Sequence, residues 1–350
     1  MLFSSLVAMP DRVRFSGILV SLLALAVPAL TAPTDQEVQF EALSRVATVT
    51  PLNTAHVERL EPYSLFAKAT YCSADSVKEW TCGRACTAFP GFKPTLTGGD
   101  GGLIQFYFVG HWAQENTIVV AHQGTDPFEL QSILTDLKMN RKRLNQTMFP
   151  GVPEDVTVHD GFRLVHEKTA QEILAEVKRL RDVNQSRKVA LVGHSLGGAL
   201  SALDALYLRL NLPADVNIKV VTYGTPRIGN AAFAKYFDAK IPNFKRINYG
   251  RDIIPIMPGR FLGYLHTKGE IHFPKDGKPV ACPGNDNAAD ELCQIKSVPN
   301  ILKGNLVHHL GPFPGKVYMG KLFCDEDDDS IVSTLAGIFA RRQEELEAAT

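Results

Sequence analysis

The chain has 350 residues, 37 Lys+Arg against 37 Asp+Glu, and 45% hydrophobic residues. That length is ample for one large α/β domain or two small ones. A balanced charge with no basic patch interleaved with aromatics excludes nucleic acid as the evident partner, and no internal repeat is present.

At the N-terminus, Arg12 and Arg14 precede an apolar run from Ile18 to Leu30, followed by Thr31-Ala32-Pro33. This reads as a secretory signal peptide over residues 1–32, cleaved near Ala32, and implies an extracellular protein. A membrane anchor is the rival reading, but the run is short for a bilayer span and is broken by Pro28. Six cysteines behind such a leader suggest an oxidised framework. Cys82 and Cys86 are close enough for a small loop, and Cys282 and Cys293 bracket a turn-rich segment, which leaves Cys72 with Cys324. Fifteen pairings exist for six cysteines, so the connectivity stays open at this point. A metal site at Cys72, Cys82 and Cys86 lacks a second paired cluster. Asn145-Gln-Thr and Asn184-Gln-Ser are glycosylation acceptors in a secreted chain.

After the leader, Val38–Val49 and Pro51–Ala69 carry helical patterns, and Phe89–Gly102 reads as loop. Leu103–Val109 and Thr117–Ala121 predict a strand pair, the second a continuous apolar run. It ends in His122-Gln-Gly-Thr-Asp126, and Thr125 stands where an oxyanion donor is needed. From Pro127, residues Phe128, Leu130, Ile133, Leu134 and Leu137 have helical spacing. They read either as an ordinary surface helix or as a mobile lid that turns its apolar face to a lipid surface; the lid is the reading carried forward. Val156–Phe162 leads into a long amphipathic helix through Arg179. Strands follow at Val189–Val192, Ile218–Tyr223 and Phe244–Tyr249, with helical stretches between. Strand and helix in alternation imply a mainly parallel sheet flanked by helices, with ligands at the strands' carboxyl ends.

Gly193-His-Ser-Leu-Gly197 lies between the strand at Val189 and a helical run through Leu210. A Gly-x-Ser-x-Gly on a sharp strand-to-helix turn holds its serine hydroxyl out of the sheet, with small residues two before and two after because strand and helix crowd there. Ser195 is therefore the candidate nucleophile, and the helix start behind it supplies Leu196 N–H to a developing oxyanion. A serine needs a base, and the base a carboxylate, in the chain order Ser, Asp, His for this topology. Asp252 follows a strand end; Asp204 lies in the helix after Ser195, and Asp215 and Asp238 sit in connections. Among His266, His272, His308 and His309, the first two fall in a predicted hairpin. His309 is read as the base, with His308 as the alternative, and His194 as a packing residue beside the serine.

Ala69-Thr-Tyr-Cys72, Val158-His-Asp-Gly-Phe162, Gly193–Gly198, Thr222-Tyr-Gly-Thr-Pro-Arg-Ile-Gly-Asn230, Arg251-Asp-Ile-Ile-Pro255 and His309-Leu310 occur in this order. Taken jointly they resemble the fungal secreted class 3 lipases of the Rhizomucor and Thermomyces type, over roughly residues 55–325. The resemblance implies an α/β-hydrolase fold with a short lid helix, no cofactor or metal, and hydrolysis of acylglycerols at a lipid–water interface. A soluble-ester carboxylesterase, such as a feruloyl esterase, is the alternative on the same fold. Residue by residue, it places Ser195, Asp252 and His309 on the triad, Thr125 and Leu196 on the oxyanion hole and Pro127–Leu137 on the lid. It also implies the three disulfides above, with Cys282–Cys293 resting more on local proximity. His122-Gln-Gly-Thr departs from the family's Arg-Gly-Ser, and His308 stands where an acidic or small residue is common. The expected division is a leader 1–32, a hydrolase domain 33–325 and an extension 326–350, whose Ile331, Leu335, Ile338 and Phe339 suggest an amphipathic helix.

Overall fold

The computed structural model describes residues 48–125 and 140–324, together with Ile331, Thr334 and Gly337. The expected leader, the lid segment and most of the C-terminal extension lie outside the described residues.

A two-residue strand β1 (Thr50–Pro51) is followed by helices α1 (Thr54–Glu58), α2 (Glu61–Ala69), α3 (Ala74–Glu79) and α4 (Gly83–Thr87). Strands β2 (Pro94–Gly98), β3 (Tyr107–Trp112) and β4 (Thr117–His122) form an antiparallel meander. Beyond residue 140, β5 (Arg141–Arg143) and β6 (Thr157–His159) pair as a small separate sheet. Then come α5 (Asp160–Asn184), β7 (Lys188–His194), α6 (Leu196–Asn211), β8 (Asn217–Tyr223), α7 (Ala231–Lys240) and β9 (Phe244–Tyr249). The hairpin of β10 (Glu270–Phe273) and β11 (Val280–Cys282) and the short α8 (Gln294–Ser297) complete the set.

The main sheet has nine strands in the order β1-β11-β10-β9-β8-β7-β4-β3-β2. Its centre, β4-β7-β8-β9-β10, is parallel throughout, and antiparallel strands close both edges. Within β4 and β7 the runs Ile118–Ala121 and Val189–Val192 are apolar without interruption because both faces are covered. Ile118, Val120, Val189, Leu191 and Val220 enter a core with α5 and α6. Their neighbours Val119, Ala121, Val192, Val221 and Tyr223 enter a second core with Phe66, Phe89 and Phe92. This is the α/β-hydrolase arrangement, and it brings the carboxyl ends of β4, β7, β8 and β9 to one edge.

Two expectations differ in place. Strand β2 lies inside the stretch read as loop: Thr95-Leu96-Thr97 is short and bounded by Pro94 and paired glycines, the pattern of an edge strand masked by turn residues. Leu103–Phe106 is not strand, because Asp100 Oδ1 accepts the N–H groups of Gly102 and Ile104 at 2.8 and 3.0 Å and curls the chain ahead of β3. Asn145 is exposed, whereas Asn184 donates its side-chain amide to Leu180 O at the end of α5, and Ser186 is buried with its hydroxyl on Asn116 O. Ile331 rests against Leu310, Tyr318 and Phe323, which places one residue of the extension on the body. Among the described residues no helix is long and apolar enough to cross a membrane.

Disulfides join Cys72 to Cys324, Cys82 to Cys86 and Cys282 to Cys293. The first spans 252 residues and ties the end of α2 to the last described turn. Cross-links that close long loops restrict the unfolded chain most. Replacing Cys72 and Cys324 together by serine should lower unfolding free energy by about 3–5 kcal/mol, read from denaturant melts.

Candidate active site

The site begins where β7 turns into α6. Ser195 has φ 58° and ψ −128°, a strained conformation for a residue with a side chain, of the kind kept where surroundings over-determine it. The surroundings are explicit. A Cβ on Gly193 would fall on the carbonyl of Gly197, and one on Gly197 would fall on the carbonyls of His122 and Gln123. Ser195 N–H donates to Tyr223 O at 2.8 Å, fixing the turn to β8. Leu196 opens α6, so its N–H is among those that the helix itself leaves unpaired, at the positive end of the helix dipole.

The segment Gln123-Gly124-Thr125 leaves β4 directly beside this turn. A Cβ on Gly124 would lie 2.9 Å from Ser195 Cβ, so only glycine lets the two backbones approach so closely. Thr125 is buried, and its Oγ1 has no hydrogen-bond partner among the described residues. Pro127, Phe128, Leu130, Ile133, Leu134 and Leu137 lie outside the described residues.

Asp252 follows β9, and His309 sits in a 3-10 turn, Leu306–Leu310. Both are fully buried, and His309 Nδ1 donates to Asp252 Oδ2 at 2.8 Å. The other oxygen, Oδ1, accepts Ile254 N–H at 2.9 Å. His309 Nε2 and Ser195 Oγ are buried without hydrogen-bond partners among the described residues. Gly224, at the end of β8, lies between these pieces: a Cβ there would touch the His309 ring at 2.7 Å and Asp252 Oδ2 at 2.9 Å. The other histidines are engaged elsewhere. His308 Nδ1 accepts Arg251 N–H at 2.7 Å, His266 Nε2 meets Pro255 O, and both nitrogens of His272 meet carbonyls. The geometry therefore separates His309 from its neighbour, which residue order alone did not.

His194 does more than fill space. Its Nε2–H donates to His309 O at 2.7 Å, which leaves Nδ1 to accept the Tyr71 hydroxyl at 2.5 Å. It thus ties the residue before the serine to the backbone of the histidine. Behind Asp252, Gln294 Nε2 donates to its carbonyl at 2.7 Å. Arg227, buried on Asp286 at 2.9 Å, also donates to the carbonyls of Ile256 and Pro258. The sequence marks Arg227 in Thr222–Asn230, yet nothing in the spacing names a partner 59 residues on.

A family model described as Lipase (class 3) matches residues 119–262. The secreted mono- and diacylglycerol lipase LIP1 of Malassezia globosa is 34% identical over 173 residues, 49% of this chain and 54% of that protein. The match therefore spans about half of that relative's length. The secreted mono- and diacylglycerol lipase MDL4 of the same organism is 26% identical over 307 residues, 83% of this chain and 91% of that one. Among solved structures, the lipase of Rhizopus microsporus var. chinensis superposes with a TM-score of 0.67 at 28% identity, over 79% of this chain and 92% of that chain.

Burial sets the electrostatics of the site. It lowers the His309 imidazole to about 3, so the ring is neutral with its lone pair at Nε2. Burial also raises the Asp252 carboxyl, against the pull of Ile254 N–H. It holds His159 down to about 4, and His194 and His266 well below the ordinary value of 6.5. A histidine whose folded pKa is lowered binds protons more readily when unfolded. Its contribution to stability is complete above about pH 6.5 and is lost as pH falls. Four such histidines outweigh Asp252, whose raised pKa acts in the opposite sense. Unfolding free energy should therefore decline as pH is taken from 7 toward 4.5, measured by denaturant titration at each pH; a flat profile would contradict the neutral burial of these rings.

Proposed function

We propose that this chain, a member of the class 3 lipase family, is a secreted hydrolase of acylglycerol esters working through an acyl-enzyme on Ser195. One observation carries the reading. His309 commits Nδ1 to Asp252, while its Nε2, Ser195 Oγ and Thr125 Oγ1 are buried and unpartnered among the described residues, with the helix N-terminus at Leu196 following Ser195. An open hydroxyl nucleophile, an open base nitrogen and an open hydroxyl donor are the groups that an ester carbonyl would engage.

In this reading His309 Nε2 takes the Ser195 proton as Oγ attacks the ester carbonyl. The Thr125 hydroxyl and Leu196 N–H hold the oxyanion. The imidazolium returns its proton to the departing glycerol oxygen. Water, deprotonated by the same nitrogen, then attacks the acyl-serine and releases the fatty acid. Asp252 keeps the imidazole in the one tautomer that leaves Nε2 free. The three disulfides and the leader of residues 1–32 support an oxidising, extracellular setting. The apolar spacing of Pro127–Leu137 supports a lid that opens on a lipid surface.

Ser195→Ala and His309→Ala should each cut kcat by about 10^4-fold or more with little change in melting temperature. His308→Ala should stay within a few-fold of wild type. An active Ser195→Ala variant would end the assignment. The rate on a short-chain triacylglycerol should climb as concentration passes the solubility limit; no climb would assign soluble esters instead. Since the base acts in its neutral form and burial lowers its pKa, the acid limb of kcat/KM should fall below the ordinary histidine value of 6.5.

A further inference from the structure

Beneath the loop that bears Thr125 lies a second buried charged cluster, which the chemistry above does not use. His122 ends β4, His166 sits on α5 and Asp204 on α6, with relative exposures of 1, 1 and 0%. Asp204 Oδ2 is hydrogen-bonded to His122 Nε2 at 2.6 Å, whereas Oδ1 lies 2.9 Å from His166 Nε2 as a charge contact without hydrogen-bond geometry. Burial raises a carboxyl, yet His166 and His122 together outweigh it here and hold Asp204 at about 2, fully ionised. A charge kept ionised in a dry interior is tolerated only while its partners stay in place, so the cluster resists displacement of any member.

His122 is the residue from which the loop Gln123-Gly124-Thr125 departs. Its backbone also crosses the first turn of α6, where Gly197 leaves no room for a side chain beneath the carbonyls of His122 and Gln123. The loop is thus held to α6 twice: by backbone contact beside Ser195, and by the His122 side chain on Asp204 two turns further along. Both anchors lie on the helix that Ser195 precedes and Leu196 opens. We infer that Asp204 is a positioning residue, which through His122 fixes the height of the Thr125 hydroxyl above the nucleophile turn.

The inference rests on the ester-hydrolase reading. Its test is Asp204→Asn, which keeps the shape and removes the charge. Active sites are counted with an organophosphonate that labels Ser195, and kcat is taken per labelled site on a soluble p-nitrophenyl ester. Positioning predicts kcat lowered by about 10- to 100-fold, with KM within about twofold. It also predicts a matching loss of affinity for an alkyl boronate, whose tetrahedral oxygen occupies the oxyanion position. In a Thr125→Val background, the Asp204→Asn loss should shrink, because the donor it positions is already gone. A merely structural role would lower the count of labelled sites and the melting temperature but leave kcat per site unchanged; that result overturns the inference, as does strict additivity with Thr125→Val. Should Asp204→Asn give no folded protein, His122→Asn breaks the same link and is read by the same outcomes. Wild-type chain that hydrolyses no ester would instead fail the reading of the preceding subsection, so the two failures are distinct.

Discussion

Everything at the site depends on a steric constraint: a strand, a helix and a neighbouring loop meet where three glycines leave room for backbone alone. Gly193 and Gly197 face each other across the turn, and Gly124 brings the next loop against Ser195. The strained φ of Ser195 follows, since a turn this tight cannot relax without driving one backbone into another. The strain is sustained by the two cores on either face of the sheet, which fix β4, β7 and α6 independently of the turn. From the same crowding come the exposed helix N-terminus at Leu196 and the short reach from Thr125.

How much of this the sequence disclosed can be read from its range in residue number. Ser195, the flanking glycines, the preceding strand and the following helix lie within one contiguous stretch, so pentapeptide and periodicity together mark them. Asp252 was legible because it stands one turn past an apolar strand. His309 was harder, since two adjacent histidines on a loop have the same local context; the distinction lies in which ring meets Asp252 and which meets Arg251 N–H. His194 was legible as a neighbour but not as a bridge, because Tyr71 and His309 stand 123 and 115 residues away. Strand β2 escaped for a different reason: at an edge, alternation over three residues cannot outweigh surrounding proline and glycine.

Asp204 shows how the same side chain type serves different ends. On sequence it competes with Asp252 for the role of triad acid, and its place on α6 turns it away from the serine's hydroxyl. Asp252 accepts a histidine and a backbone N–H near the surface loops, whereas Asp204 is enclosed between α5, α6 and the end of β4. The two aspartates thus differ in surroundings: one meets the single ring of His309, the other the rings of both His122 and His166.

Two fully buried ion pairs, Arg227–Asp286 and Arg246–Glu270, stand behind the Asp252 loop at 2.9 and 3.0 Å. Pairs of this kind gain little net stability, since desolvating two charges costs about as much as their attraction returns, whereas removing one partner costs about 3–5 kcal/mol. Their consequence is geometric. Arg227 donates further through Nη1 to the carbonyls of Ile256 and Pro258, and Arg246 through Nε and Nη2 to those of Thr267 and Asn285. Each arginine thereby ties an irregular loop to a strand end through several bonds that fail together. An apolar core of equal volume would hold the strands as firmly but would leave those loop carbonyls unpaired. The charged pairs thus anchor the long loop between Asp252 and β10 to the sheet, on the side where Gln294 holds the Asp252 carbonyl.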